Sequence, residues 1–153
     1  MGTSFTEIYD LFLSLCEDYH FNELFNISEE NLNTYLQPYL RFAVNDFMKC
    51  CDQKLQDNMD LENGAFTLVL PEYNKIPLAM LMIKYWFNHL VNDILQIQNK
   101  LNDTDFKHFA EANNLNAKKS AYSQMQEECS QLLTDYAILH SVDWGKWRNG
   151  IYY

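Results

Sequence analysis

In the first part of the chain, apolar residues recur at intervals of three and four, which is the spacing of an amphipathic helix. Ser4 and Glu7 form a Ser-x-x-Glu capping box, in which each side chain satisfies a free backbone amide at a helix start. The sequence therefore predicts a first helix that begins after Ser4 and has one apolar face. The residues of that face are Phe5, Ile8, Tyr9, Phe12, Leu15, Cys16 and Tyr19.

A second helix is predicted to begin at Ser28, because a hydroxyl cap followed by the acids Glu29 and Glu30 suits a helix N-terminus. One apolar phase continues from there as far as Cys50. Pro38 interrupts the helical segment, since proline lacks a backbone donor and clashes with the preceding turn, but the apolar phase survives across it. We expect either two coaxial pieces or one kinked helix.

The middle of the chain changes from polar to apolar. Residues 56–65 are polar and predict a loop, whereas residues 66–70 are rich in β-formers and predict a brief strand or an extended lead-in. Pro71 with Glu72 fits a helix start. A further proline at Pro77 favours that position as the true beginning of the main helix.

From Pro77 a steady apolar stripe continues to Leu101, and more apolar residues occupy other sides of the same segment. A helix that is apolar on several sides is buried on several sides, so this segment is predicted to be the central helix. Its stripe comprises Ala79, Ile83, Trp86, Phe87, Leu90, Ile94, Ile97 and Leu101.

The last third predicts a short helical segment capped by residues 103–105, then a loop or helix end over residues 110–119. A last long helix is predicted from about Lys118 to His140. Its core-facing residues are Tyr122, Met125, Cys129, Leu132, Leu133 and Tyr136. The predicted fold is all-α: a bundle of about four main helices over residues 1–140, followed by an extended tail.

The tail, residues 141–153, reads SVDWGKWRNGIYY and has no helical periodicity. Large aromatic side chains normally leave water, so we expect this tail to dock, either on its own bundle or on a neighbouring subunit. Tryptophan, tyrosine and arginine also carry most of the binding energy at protein interfaces. The residues predicted to bind a partner are Trp144, Trp147, Arg148, Ile151, Tyr152 and Tyr153.

The sequence contains no motif for catalysis, a metal or a cofactor. None of the four histidines has a second histidine at helical spacing, and His89 is expected to make a local hydrogen bond instead. The adjacent Cys50 and Cys51 do not form a CxxC half-site, and all four cysteines are interpreted as small core residues of a reducing compartment. With only 4 glycines, a backbone phosphate cradle is hard to build. We therefore expect a protein that is not an enzyme and holds no cofactor.

The net charge of −10 results from 21 acidic and 11 basic residues, which makes the surface repel phosphate backbones. A sequence-reading DNA binder is thus disfavoured, although an acidic wall lets DNA slide past without sticking. The first residues lack the basic and apolar regions of a secretory signal, and the apolar run 76–90 is too short to span a bilayer. These features predict a soluble cytoplasmic product.

Several stretches together resemble small head–tail connector (neck) proteins of tailed bacteriophages, encoded near the portal and capsid genes. They are Thr3-Ser4-Phe5-Thr6 with Ile8-Tyr9-Asp10, Asp18-Tyr19, Tyr39-Leu40 to Cys50, Phe66…Leu70…Glu72, Met82…Trp86, and Asp103-Thr104-Asp105-Phe106-Lys107 with Glu111-Ala112-Asn113. The resemblance covers most of the chain at the level of pattern.

This resemblance implies a virion protein, made in the cytoplasm of the bacterial host, that forms a homo-oligomeric ring beneath the portal. Its partners would be other copies of itself, the portal protein and adjacent neck or tail proteins, with DNA passing through the ring without sequence-specific binding. Among connector proteins, adaptors are similar to this chain in being helical, whereas stoppers and tail terminators tend to be sheet-rich. The alternative is a soluble helical binding or regulatory module that engages a partner through a groove or the aromatic tail.

Overall fold

The structure is a bundle of long helices. The computed structural model describes residues 2–16, 28–100 and 109–141. Within these ranges lie four helices: α1 (Phe5–Leu15), α2 (Glu29–Phe47), α3 (Glu72–Lys100) and α4 (Phe109–Ser141). The predicted all-α fold with four main helices is confirmed. The short helical segment predicted after residues 103–105 begins outside the described residues.

Helix α1 begins as the capping box predicts. The Thr6 amide donates to Ser4 Oγ at 3.3 Å, and the Ser4 amide donates to Glu7 Oε1 at 3.2 Å. The helix ends at Leu15, which was predicted to face the core but is 57% exposed. Tyr19, also predicted on this face, lies outside the described residues. The core-facing side chains of α1 are Phe5, Ile8, Tyr9 and Phe12.

Helix α2 begins at the predicted cap, where Ser28 Oγ accepts from the Asn31 amide at 3.0 Å. It continues through Pro38 as a single helix, so of the two predicted alternatives the structure has one helix and not two coaxial pieces. The apolar residues on both sides of this proline are buried in one phase, and their packing outweighs the loss of one backbone hydrogen bond. The helix ends at Phe47, before the predicted limit at Cys50.

A small β-hairpin follows α2, after a 3-10 turn over Gln56–Asn58. Strand β1 (Met59–Asp60) pairs antiparallel with β2 (Ala65–Phe66), so that Met59 faces Phe66. Within the turn between them, Gly64 adopts a φ of 62°, a left-handed conformation that costs glycine little. The prediction of a loop over residues 56–65 is therefore only partly right. Of residues 66–70, for which a brief strand or an extended lead-in was predicted, only Phe66 belongs to a strand.

Residues before α1 join this hairpin. The Phe66 amide donates to the Thr3 carbonyl at 2.7 Å, and the Leu70 amide donates to Thr3 Oγ1 at 2.7 Å. Thr3 is itself buried, and Ser4 forms an isolated antiparallel bridge with Ala65. The start of α1 is thus tied to the segment that leads into α3.

Helix α3 begins at Glu72, earlier than the start at Pro77 that the sequence favoured. The amides of Asn74 and Lys75 donate to the Pro71 carbonyl at 2.9 and 3.2 Å, which closes the first turn. Asn74 is held by tertiary hydrogen bonds and is fully buried, so long-range contacts stabilise this turn ahead of the second proline.

Helix α4 begins at Phe109, so the loop or helix end predicted over residues 110–119 is wrong. Alanine and lysine favour a helix there, and asparagine opposes one by only a fraction of a kcal/mol per residue, roughly 0.7 at most. The helix includes Ser141, which the prediction assigned to the tail.

The three longest helices alternate in direction. Helices α2 and α3 are antiparallel, because Asp46 contacts Lys84 whereas the earlier residue Tyr39 contacts the later residue His89. Helices α3 and α4 are also antiparallel, as successive contacts along them demonstrate: Asn74 with Tyr136, Met80 with Cys129, and Phe87 with Tyr122. Helix α4 therefore runs parallel to α2. The buried core lies mainly between α1, α2 and the first half of α3.

Candidate functional site

The residues predicted to bind a partner fall in the last part of the chain. Trp144, Trp147, Arg148, Ile151, Tyr152 and Tyr153 all lie outside the described residues. What the structure does describe is the end of α4, the point from which this aromatic segment continues.

A polar network fixes the end of α4. The Tyr136 hydroxyl lies 2.6 Å from Oδ1 of Asn74 and 2.8 Å from Oδ1 of Asp52, and donates toward both. The Asn74 amide group donates in turn to Asp52 Oδ1 at 3.0 Å and to Gln53 Oε1 at 2.7 Å. Asn74 is 0% exposed, so these hydrogen bonds satisfy a polar group that would otherwise be costly to bury.

His140 adds a stack of rings to this network. Its imidazole lies between Tyr136, with ring centroids 4.2 Å apart, and Tyr73, with ring centroids 4.8 Å apart. Tyr73 belongs to the first turn of α3, so the last turn of α4 is attached to it directly. We call Asp52, Tyr73, Asn74, Tyr136 and His140 the end clamp.

The end clamp has the charge states that such hydrogen bonding requires. Burial alone would raise the pKa of Asp52, but hydrogen bonds from Asn74 and Tyr136 outweigh it and lower that pKa below its usual value. Burial raises the pKa of Tyr136 well above the usual phenol value. At neutral pH, Asp52 is therefore an anionic acceptor and Tyr136 a neutral donor. Cys51 lies 3.8 Å from the Tyr136 hydroxyl, and burial raises its pKa, so it is no activated nucleophile.

A second charged cluster joins α2 to α3. Asp46 accepts from Lys84 at 2.8 Å, from Tyr85 at 2.6 Å and from Lys49 at 3.0 Å. Burial alone would raise the pKa of Asp46, but the hydrogen bonds from these three side chains outweigh it and lower the pKa to about 2. The cluster holds two helices together, and its carboxylate is fully engaged.

The structure also contains an open groove of about 650 Å³ between α1, the N-terminal half of α2 and the hairpin turn. Apolar side chains on its lining are Phe5, Tyr9 and Leu61, and acidic ones are Glu29, Glu30 and Glu62. We call this feature the acid-rimmed groove. Its described lining has no basic residue.

The cysteines and histidines are placed as follows. Cys129 is 1% exposed, as expected for a small core residue, whereas Cys16, Cys50 and Cys51 are only half-buried. His89 Nδ1 lies 3.4 Å from the Tyr39 hydroxyl and 3.5 Å from Asp93 Oδ2, which confirms the expected local contact. His20 and His108 lie outside the described residues. Across the ranges that the structure covers, no three metal-ligating side chains converge.

Sequence reasoning missed both the end clamp and the acid-rimmed groove. The clamp joins residues far apart in the chain, such as Tyr136 and Asp52, and no local pattern indicates that pairing. One usable signal was present: Asn74 precedes an apolar run and is a poor residue for a helix interior unless it has partners.

Comparison with known protein families, with curated proteins and with solved structures gives no match. Within the described ranges, no helix has an apolar stretch long enough to cross a bilayer.

Proposed function

We propose that this chain is a structural subunit of a tailed-bacteriophage neck: an adaptor that forms a ring beneath the portal and joins it to the tail. The observation that carries the proposal is the end clamp. It fixes the last turn of α4 rigidly, and the aromatic residues 142–153 continue from that turn. A fixed origin reduces the entropy lost when an aromatic segment docks on a neighbouring protein.

The mechanism that we propose is geometric. The bundle is a rigid wedge, and a repeated heterologous contact between neighbouring copies closes the ring. The aromatic segment attaches each copy to the next component. The helical fold supports an adaptor over the sheet-rich connector types. The net charge of −10 supports a channel through which DNA passes without being held.

The second candidate is a soluble helical module that binds a partner protein. The observation that favours it is the acid-rimmed groove, which is open and combines apolar and acidic lining. Such a groove suits a basic amphipathic segment from another molecule.

The discriminating experiment measures the solution mass of the full chain, alone and with the portal protein of the same phage. The connector proposal expects a ring-sized species or a complex with the portal. Trp144→Ala combined with Trp147→Ala should abolish that complex while the thermal unfolding transition stays unchanged. Phe42→Ala, which removes an exposed aromatic side chain of α2, is the matched control and should leave the complex intact.

Two results would contradict the connector proposal. If the tryptophan variant unfolds, the aromatic segment is part of its own core and has no free docking role. If the full chain forms neither a ring nor a portal complex but binds one host protein at 1:1, the binding module is the better description.

A further inference from the structure

The acid-rimmed groove contains polar side chains that are left without partners. On α2, Asn33 and Gln37 line it about one helical turn apart, and both are half-buried. Within the described part of the chain, neither side-chain amide has a hydrogen-bond partner. Because a carboxamide has both donors and an acceptor oxygen, these two residues offer several hydrogen bonds to an occupant.

Tyr9 provides an independent indication that this groove receives a ligand. It is 3% exposed, and its hydroxyl has no hydrogen-bond partner among the described residues. Every fully enclosed side-chain nitrogen or oxygen of those residues does have a partner, so the small remaining exposure of Tyr9 includes its hydroxyl. Because Tyr9 lines the groove, a ligand there can reach this hydroxyl. A nearly buried polar group without a partner is unfavourable, and a hydrogen bond from a ligand removes that penalty.

The charges around these polar groups select a cation. Glu29, Glu30 and Glu62 lie on the lining, and no basic side chain is part of the described lining. None of the three carboxylates forms an ion pair with another described residue. Glu30, Asn33 and Gln37 follow one another at helical spacing on one face of α2 and span about 10 Å. An elongated ligand with more than one positive charge can therefore contact the rim and the interior together.

The apolar part of the lining fits a slim ligand. Phe5 and Tyr9 are 2% and 3% exposed, so the open apolar surface comes mainly from Leu61, which is 42% exposed. A hydrocarbon chain that carries ammonium groups matches this mixture. Its nitrogens donate to carboxylate, amide and phenol oxygens, and its methylene groups cover Leu61.

We propose that the acid-rimmed groove binds a free aliphatic polyamine, a small ligand with two or more ammonium groups. At the rim, its nitrogens donate to the carboxylates of Glu30 and Glu62. Inside the groove, they donate to the side-chain oxygens of Tyr9, Asn33 and Gln37. The site uses none of the residues predicted to bind a neck partner, so it stands or fails separately from the connector function.

Calorimetric titration of the full chain with spermidine, at constant ionic strength, tests for the ligand. We expect saturable binding at one site per chain, with amide chemical shifts that change in α1, the N-terminal half of α2 and the hairpin. Magnesium chloride, which supplies charge without a hydrocarbon chain, and an aliphatic diol, which supplies the chain without charge, are the controls. Each should bind at least about tenfold more weakly. No saturable binding, or equal binding of magnesium and spermidine, would overturn the proposal, because general attraction to an acidic surface explains the latter.

Substitutions with equal changes of charge locate the site. Glu30→Gln combined with Glu62→Gln should weaken spermidine binding by roughly tenfold. Glu127→Gln combined with Glu128→Gln, at exposed positions of α4, changes the net charge equally and should alter the affinity less than about twofold. Tyr9→Phe should weaken binding by a few fold while the thermal unfolding transition stays in place, because among the described residues the hydroxyl has no partner to lose. Equal losses from the two charge variants would place the ligand elsewhere and overturn the proposal.

A lysine or arginine side chain is the other source of such a cation, and two measurements test it. Lys100→Ala with Lys107→Ala, and Lys146→Ala with Arg148→Ala, remove the cations whose side chains lie outside the described residues. Spermidine affinity should stay within about twofold in both variants, and a tenfold gain in either would mean that the chain's own cations fill the groove. A blocked tripeptide with a central lysine has one ammonium group and should bind about tenfold more weakly than spermidine. If it binds as tightly, the ligand is a lysine of a protein and the polyamine proposal is wrong.

Discussion

The α1–α2–α3 core and helix α4 are held in place by different forces. Helix α2 alone buries seven apolar side chains, whereas among the described side chains of α4 only Cys129 and Tyr136 are buried. Yet α4 has 33 residues and a length of about 50 Å. Apolar burial is strong but non-directional, while the hydrogen bonds of the end clamp require one arrangement. The comparison suggests that the core supplies stability and the clamp supplies position.

The largest expected effect comes from the core. Phe12→Ala removes a 0% exposed ring that packs edge-on against Trp86, with ring centroids 6.2 Å apart. The lost burial and the cavity left behind should lower the free energy of unfolding by about 3–5 kcal/mol in chemical denaturation. Leu15→Ala, in the same helix but 57% exposed, should change it by less than about 0.5 kcal/mol. Equal effects would mean that α1 is not part of the core.

Tyr136→Phe tests the clamp. It keeps the ring but removes the hydroxyl, which leaves the buried Asn74 carbonyl without its donor and should lower the free energy of unfolding by about 1–3 kcal/mol. Hydrogen exchange should also speed up in the last turns of α4 relative to α2. Tyr122→Phe, whose hydroxyl accepts from the exposed Gln126, is the control and should change stability by less than about 0.5 kcal/mol. Uniform exchange along α4 in both variants would contradict a positional role for the clamp.

The Asp46 cluster should give stability that depends on pH. The folded pKa of Asp46 is lowered from 3.8 to about 2, so its contribution is fully present above the unfolded pKa and is lost as pH falls through the folded value. Asp46→Asn should therefore cost about 1–2 kcal/mol at pH 7, and wild type and variant should converge between pH 4 and pH 2.

The partners of Asp46 refine that measurement. Lys84→Met should reduce the pH dependence more than Lys49→Met, since the side chains of these two lysines are 21% and 70% exposed. The difference in free energy of unfolding between wild type and Asp46→Asn should therefore vanish by pH 2. If it persists unchanged down to pH 2, the carboxylate charge is not what stabilises the α2–α3 contact.

The smallest effect is expected toward the N-terminal half of α4. Tyr122→Leu removes the ring contact with Phe87, at 6.2 Å between centroids, but keeps apolar bulk, so the free energy of unfolding should fall by less than about 1 kcal/mol. Gln126→Ala removes only the hydrogen bond to Tyr122, so it separates the contribution of this hydrogen bond from that of the ring contact. A loss larger than that of Tyr136→Phe would reverse the comparison, because α4 would then be held at its middle and not at its end.

The helix starts were predictable because their causes are local. Ser4, Glu7 and Ser28 act within one turn, and the structure has each of them as a cap. The prolines are poor guides to the helix boundaries, since Pro38 and Pro77 both lie inside helices whose packing compensates for the missing donor. Local propensity is a weak guide wherever tertiary contacts stabilise the same segment.

The candidate sites were less predictable than the fold. The end clamp joins the loop after α2 to two other helices, and the acid-rimmed groove is formed by three separate segments of the chain. Composition alone does not place Glu30 and Tyr9 on the lining of one groove, because that requires the relative positions of α1 and α2. The aromatic residues from Trp144 onward were singled out by composition, and their role remains a prediction.

The buried amide of Asn74 selects one alignment of α3 against α4. An apolar stripe slides along a similar stripe at little cost, so α3 and α4 could match one turn out of step if burial alone joined them. Only one alignment lets the Asn74 amide meet Tyr136, Asp52 and Gln53 together. Asn74→Leu would then give a protein of comparable stability whose two longest helices sample more than one alignment, detectable as doubled amide resonances.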